Sequence, residues 1–322
     1  GLVSSFAKGF TYAFVQHEPL PTTHRFDGRR TVSASTPLSG QASGFEGFEY
    51  LRRICLGADV PLELFELYLG SFSEFLNSSY AISLRAQSGW VGLSTRASGQ
   101  LYAYRILEFL EKNEVSEQTR KHFMSLVKHF DADHVGLKAE GDGRFLREIA
   151  IMFCERHRMD VVHAILADSG LSADAIGLTE AVAEVLEQKN AVEIGFAVGR
   201  GDTSIRWTAF EVEGTTDAWS RLHASAILCG CSDADWAPIA ALRKAHGSEL
   251  SMVLVAFFMD EVRFSIVLGS ASPSMVESFP VSESTVKRGM IPLLIAPKRM
   301  RTRMEIGLRP GKPISLTTYL LG

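Results

Sequence analysis

The stretch His134-Val-Gly-Leu-Lys-Ala-Glu-Gly-Asp-Gly-Arg-Phe-Leu-Arg-Glu-Ile-Ala-Ile-Met-Phe153 decides the fold. Apolar and polar side chains alternate on both sides of Glu140-Gly-Asp-Gly143, with Val135 and Leu137 before it and Ile149, Ile151 and Phe153 after it. That is a β-hairpin, and two strands joined by so tight a turn run antiparallel. The unit recurs along the chain. Tyr80–Ala86 precedes Val91–Ala97, Ala191–Val198 precedes Ile205–Val212, Leu250–Met259 precedes Val262–Leu268, and Arg303–Arg309 precedes Ile314–Leu320. Apolar residues recur at helical spacing near 99–130, 158–168, 172–188, 215–229 and 233–246, between successive hairpins. The connection from 270 to 300 reads as less regular.

Ten antiparallel strands with intervening helices exclude a doubly wound parallel sheet, and a closed barrel removes the edges that a flat sheet would have to protect. A barrel of about eight strands is just filled by its own side chains, so ten leave room for a ligand. The expected class is therefore α+β, a ten-stranded antiparallel barrel of five hairpins surrounded by helices. It occupies residues 49–322 as one domain and follows an irregular extension over 1–48. The extension carries two strand-like runs, Phe10–Val15 and Arg30–Ser35. A two-domain α+β chain divided near residue 170 is the alternative if the hairpins do not share one sheet.

Composition narrows the function classes. The 322 residues carry 33 Lys and Arg against 37 Asp and Glu, a net charge of -4, without the basic excess of a nucleic-acid binder. The longest apolar run, Met252–Met259, is far shorter than the roughly 20 residues of a membrane-spanning helix. Four irregularly spaced cysteines fit no disulfide framework and point to a reducing cytoplasm. Cys229-Gly-Cys231 and the Cys154/His157 pair each supply two possible ligands where zinc takes three or four, so no metal site is expected. Asp131-Ala-Asp133 and Asp233-Ala-Asp235 lack the Asp-Asp-x-x-Asp spacing that holds magnesium diphosphate in helical prenyl synthases. No His-Glu-x-x-His or Gly-x-Ser-x-Gly motif is present.

In a barrel covered by helices the outer strand face is apolar, so the alternating polar residues turn inward. This rule sends Ser83, Arg85, Ser94 and Arg96 to the lumen, followed by His134, Lys138, Glu148 and Met152. Glu193, Gly195 and Ala197 face in, with Arg206, Thr208 and Phe210 as their expected neighbours, although the strand from Ile205 fits either orientation. Arg263 and Ser265 follow, and then Arg303, Glu305 and Arg309 face Ser315, Thr317 and Tyr319. Each hairpin thus offers a cation to the lumen. An anionic ligand accounts for such a set most simply, because buried charge is costly without a partner. Pairing with Glu148, Glu193 and Glu305 is the competing explanation.

The arrangement resembles the ABBA, or PT-barrel, aromatic prenyltransferases. The resemblance covers about 45–322 and is carried by the five-hairpin order, by Tyr50-Leu-Arg-Arg-Ile-Cys-Leu-Gly-Ala-Asp59 with Leu64-Phe-Glu-Leu-Tyr-Leu-Gly-Ser-Phe72, and by Asp133-His-Val-Gly-Leu-Lys138 with Arg147-Glu-Ile-Ala-Ile-Met-Phe153. It implies transfer of a dimethylallyl or geranyl group from an allylic diphosphate to an electron-rich aromatic molecule, as in secondary metabolism. On that basis Arg85, Lys138, Arg206, Arg263 and Arg303 would hold the diphosphate with Tyr319. Phe210 and Phe257 would shield the allylic cation or line the acceptor pocket, and Glu148 or Glu193 would orient the acceptor or take its proton. No cofactor is required on this reading, and Mg2+ is not expected. A non-catalytic barrel serving as a ligand binder or scaffold is the alternative. The enzyme needs cations converging with aromatic faces beside them, whereas a scaffold would neutralise them in Arg–Glu pairs.

Overall fold

The computed structural model describes residues 45–77, 79–127, 134–142, 146–199, 204–212, 216–247, 249–258 and 261–322. The strands expected at Phe10–Val15 and Arg30–Ser35 lie outside these residues. The barrel strands are β1 (Tyr80–Arg85), β2 (Trp90–Ala97), β3 (Val135–Gly141), β4 (Leu146–Phe153), β5 (Glu193–Gly199), β6 (Ser204–Glu211), β7 (Leu250–Phe257), β8 (Val262–Leu268), β9 (Arg301–Leu308) and β10 (Ser315–Leu321). Each pairs antiparallel with its neighbours in sequence, and β10 returns to β1, where Ile82 faces Leu320. The ladder passes residue 170 without a break, so the hairpins form one closed sheet. All five hairpins fall where the alternation places them. β3 runs on through Glu140 and Gly141, so the turn starts later than the Gly-Asp-Gly motif suggests.

The outer face is sealed by helices. These are α1 (Phe48–Ala58), α2 (Glu66–Leu76), α3 (Gln100–Lys112), α4 (Glu117–Val127), α5 (Met159–Asp168), α6 (Ala173–Val185), α7 (Thr216–Leu228), α8 (Asp233–His246), α9 (Pro273–Glu277) and α10 (Glu283–Ile295). Tyr68 and Phe72 of α2 pack edge-on against Tyr102 and Phe109 of α3, with ring centres 5.5–5.6 Å apart. The hydroxyls of this cluster pin both helices to the barrel wall. Tyr68 donates to the Leu137 carbonyl at 2.7 Å, and Tyr102 donates to the Thr95 carbonyl at 3.2 Å. The connection from 270 to 300 proves more regular than its sequence suggests. Ser282 caps α10 by accepting the Thr285 amide at 3.3 Å, and the helix packs on β1 and β10 although Gly289 and Pro292 lie inside it. No helix among the described residues is long and apolar enough to cross a membrane.

Candidate functional site in the barrel lumen

Directly paired residues on adjacent antiparallel strands point to the same side of the sheet, so the register sorts lumen from exterior. Arg85 pairs with Thr317, Thr317 with Glu305, and Lys138 with Ser94 and Ala150. Arg263 pairs with Ala256, Arg303 with Tyr319, and Glu140 with Glu148. The lumen therefore receives Arg85, Arg96, Lys138, Glu140, Glu148, Glu193, Arg263, Arg303, Glu305 and Tyr319.

Four of the expected residues, Arg206, Thr208, Phe210 and Phe257, go elsewhere, Thr208 pairing with the outward Ile194 and Val255. Arg206 pairs with Phe196, Phe210 with Val253, and Arg206 again with Phe257, which places Arg206, Phe210 and Phe257 on the helix-covered face. Arg206 can face outward because α5 ends beside it. Its Nε donates to the Ser169 hydroxyl at 3.0 Å, at a helix C-terminus whose exposed carbonyls favour a cation. The alternate residues of β6, Ile205, Trp207 and Ala209, turn inward instead. Arg309 sits beyond the end of β9 against Glu261 at 3.3 Å, and His134, exposed at the start of β3, faces Glu155 at 3.4 Å. Neither enters the charged interior.

At the hairpin-turn end the lumenal charges cancel. Glu140, whose side chain has no solvent exposure, lies in contact with both Arg85 and Lys138. The Arg85 guanidinium also donates to both Glu148 oxygens, at 2.9 and 3.0 Å. Arg263 approaches Glu305 at 3.5 Å, and the Tyr319 hydroxyl donates to Glu305 at 2.6 Å. Three cations thus meet three carboxylates. Burial alone would raise the Glu140 and Glu305 carboxyls, but their cationic partners outweigh it and hold both below the usual carboxylate range. Glu140 falls inside the turn that the Gly-Asp-Gly motif predicts, yet it belongs to β3 and faces the lumen. Its place two residues after Lys138, on the same strand face, was the available signal.

The opposite end, where the helices connect, is unbalanced. Arg96 donates to Glu193 at 2.8 Å, and the Trp207 indole donates to the other Glu193 oxygen at 2.9 Å. Among the described residues Arg303 has no carboxylate at ion-pair distance, and its Nε is buried without a hydrogen-bond partner. Burial, together with the charges of Arg96 and Arg301, lowers the Arg303 pKa, the pattern of an under-compensated cation. Among the described residues, Arg96 and Arg303 thus share one carboxylate, Glu193. Beside them runs an apolar wall of Ala150, Met152, Ala197, Trp207 and Ala256, extended by Leu254 and Phe258. Trp207 lies flat because Gly195 leaves its ring room, and a Cβ at Gly195 would fall onto the indole. Cys154 adjoins this wall, where burial and Glu193 push its thiol well above the ordinary range, so it is no thiolate nucleophile. No group of three His, Cys, Asp or Glu among the described residues is arranged to hold a metal ion.

No family model and no curated protein sequence matches the chain. Solved structures do. The chain is similar to 6-dimethylallyltryptophan synthase from Micromonospora olivasterospora, crystallised with DMASPP and Trp, at a TM-score of 0.57 and 12% identity over 89% of this chain and 97% of that one. Against 5-dimethylallyltryptophan synthase from Streptomyces coelicolor the TM-score is 0.54 at 10% identity, covering 87% and 96%. Against AnaPT from Neosartorya fischeri it is 0.58 at 8% identity, covering 84% and 91%. Together with the closed ten-stranded barrel, these establish the fold as the ABBA barrel of aromatic prenyltransferases.

Proposed function

We propose that this ABBA-fold chain binds an allylic prenyl diphosphate in its lumen and transfers the prenyl group to an electron-rich aromatic ring. The observation that carries this reading is the place of Arg303, whose buried Nε has no hydrogen-bond partner among the described residues, next to Arg96 and the apolar wall around Trp207. A prenyl diphosphate is itself divided into an anion and a hydrocarbon. In this reading Arg303 and its neighbours hold the diphosphate and stabilise the negative charge that grows on it as the allylic C–O bond breaks. The Trp207 face and Met152 keep water from the allylic cation. A ring carbon of the acceptor bonds to the allylic carbon, the diphosphate departs with the C–O electron pair, and the ring proton passes to Glu193, the carboxylate at this end of the lumen.

The diphosphate site proposed here is not the whole set that the resemblance implies. Arg85, Lys138 and Arg263 already have carboxylate partners, so adding a polyanion beside Glu140, Glu148 and Glu305 would bring like charges together in a poorly solvated space. The same neutral cluster favours the second reading, a non-catalytic ABBA barrel whose cations are structural.

Calorimetric titration with dimethylallyl and geranyl thiolodiphosphates, with and without Mg2+, separates the two. The transferase reading expects binding that Arg303→Ala weakens at least tenfold, about 1.4 kcal/mol, and that Arg96→Ala also weakens. Lys138→Ala, acting on the neutral cluster, should cost less. Absence of binding by the folded wild-type protein would leave the scaffold reading in place. An acceptor screen with tryptophan and other electron-rich aromatics then tests transfer.

A further inference from the structure

The helical layer holds a second concavity, outside the barrel wall, about 400 Å³ in volume and formed where α7 meets α8. Its residues come from one stripe of each helix. Trp219 and His223 are one turn apart on α7, while Trp236, Ala240, Arg243 and Lys244 follow at spacings of four, three and one on α8. Ala240 is the small residue that leaves the space open between larger neighbours. The indoles form the walls, both more than nine-tenths buried, with His223 stacked on Trp236 at 5.1 Å and an interplanar angle of 21°.

The charge is distributed in a way that packing alone does not require. Arg243 lies over the Trp219 ring at 5.4 Å. Neither Arg243 nor Lys244 has a carboxylate at ion-pair distance among the described residues. The carboxylate of Asp233 lies 2.9 Å from His223 Nε2. The cleft thus combines two planar aromatic walls, two uncommitted cations and a volume within the range of small-molecule sites.

We infer that this cleft binds a small planar aromatic anion. Its carboxylate or phosphate would be held by Arg243 and Lys244, and its ring would lie against the edges of Trp219 and Trp236 that Arg243 and His223 leave open. A planar guanidinium suits two-point recognition of such a group, and a ring against the indoles removes apolar surface from water. The inference is independent of the lumenal chemistry, since α7 and α8 form part of the outer layer.

The four tryptophans make the test direct, because Trp90 and Trp207 belong to the lumenal strand face while Trp219 and Trp236 belong to the cleft. The full chain labelled with ¹⁵N in its indoles, with signals assigned through single Trp→Phe variants, is titrated with 2-naphthoate and with neutral 2-naphthamide. The expected result is a saturable shift of the Trp219 and Trp236 signals by 2-naphthoate. Binding should weaken at least tenfold for 2-naphthamide and for the Arg243→Gln/Lys244→Gln double variant, as loss of charge-assisted hydrogen bonds implies. Ala240→Trp, which fills the cleft and removes none of its cations, should abolish the shift. Unchanged Trp90 and Trp207 signals in these variants report that the barrel is intact. Shifts confined to Trp90 and Trp207, equal binding of the neutral analogue, undiminished binding by Ala240→Trp, or no shift at millimolar 2-naphthoate would each overturn the assignment.

Discussion

Glu140→Gln is expected to lower the unfolding free energy by about 3–5 kcal/mol, the cost of breaking a buried ion pair on one side. The side chain of Glu140 is wholly excluded from solvent and touches Arg85 and Lys138. After the substitution Arg85 retains Glu148, whereas Lys138 keeps its charge in a lumen that no longer balances it. Urea denaturation at pH 7 measures the loss, and a change below about 1 kcal/mol would show that Lys138 is solvated well enough to need no partner. Replacing the pair together, as in Lys138→Met/Glu140→Leu, should be far milder than the single change, because no charge is then left without its partner.

Acid titration should follow the same cluster. The folded-state pKa values of Glu140 and Glu305 are depressed, so both groups contribute stability that is fully present above the unfolded glutamate value of about 4.3. That contribution is lost as pH falls below it, through the folded-state values. Wild-type stability should therefore decline as pH drops below about 4.3, and the decline should be shallower in Glu140→Gln. Denaturation midpoints between pH 3 and 7 check this, and equal slopes in the two proteins would remove Glu140 from the account.

Gly195→Val should destabilise the barrel by about 1–3 kcal/mol, because the added side chain occupies the space taken by the Trp207 ring. The indole would have to swing toward the barrel axis and give up its hydrogen bond to Glu193. On the proposed function, this variant also loses thiolodiphosphate binding, since the apolar wall and the arginine group no longer adjoin. Retained stability with retained binding would mean that the Trp207 ring is free to reorient at little cost. The glycines at 92 and 307 follow the same rule. Lys138 lies against the first and Arg263 against the second, so long lumenal side chains lie along the wall where the facing strand has no Cβ.

The barrel was readable in the sequence, and its closure is seen in the structure. The five hairpins were legible because strand alternation and tight turns are local, and their order left closure as the economical solution. Lumenal placement of Arg85, Arg96, Lys138, Glu148, Glu193, Arg263, Arg303 and Tyr319 followed from the rule that helices cover the apolar face. The rule failed on β6, where Ser204-Ile-Arg-Trp-Thr-Ala-Phe-Glu211 has apolar residues on both faces. Only two contacts remote in sequence decide its orientation, the space that Gly195 leaves for Trp207 and the end of α5 that receives Arg206. The charge balance of the lumen was likewise beyond periodicity. Alternation tells which way a side chain points, but ion pairing depends on which residues from separate strands meet across a register of ten. That register brings Arg85 to the Lys138–Glu140 pair and leaves Arg303 without a carboxylate at ion-pair distance among the described residues, because a closed sheet brings together charges that lie far apart in the chain.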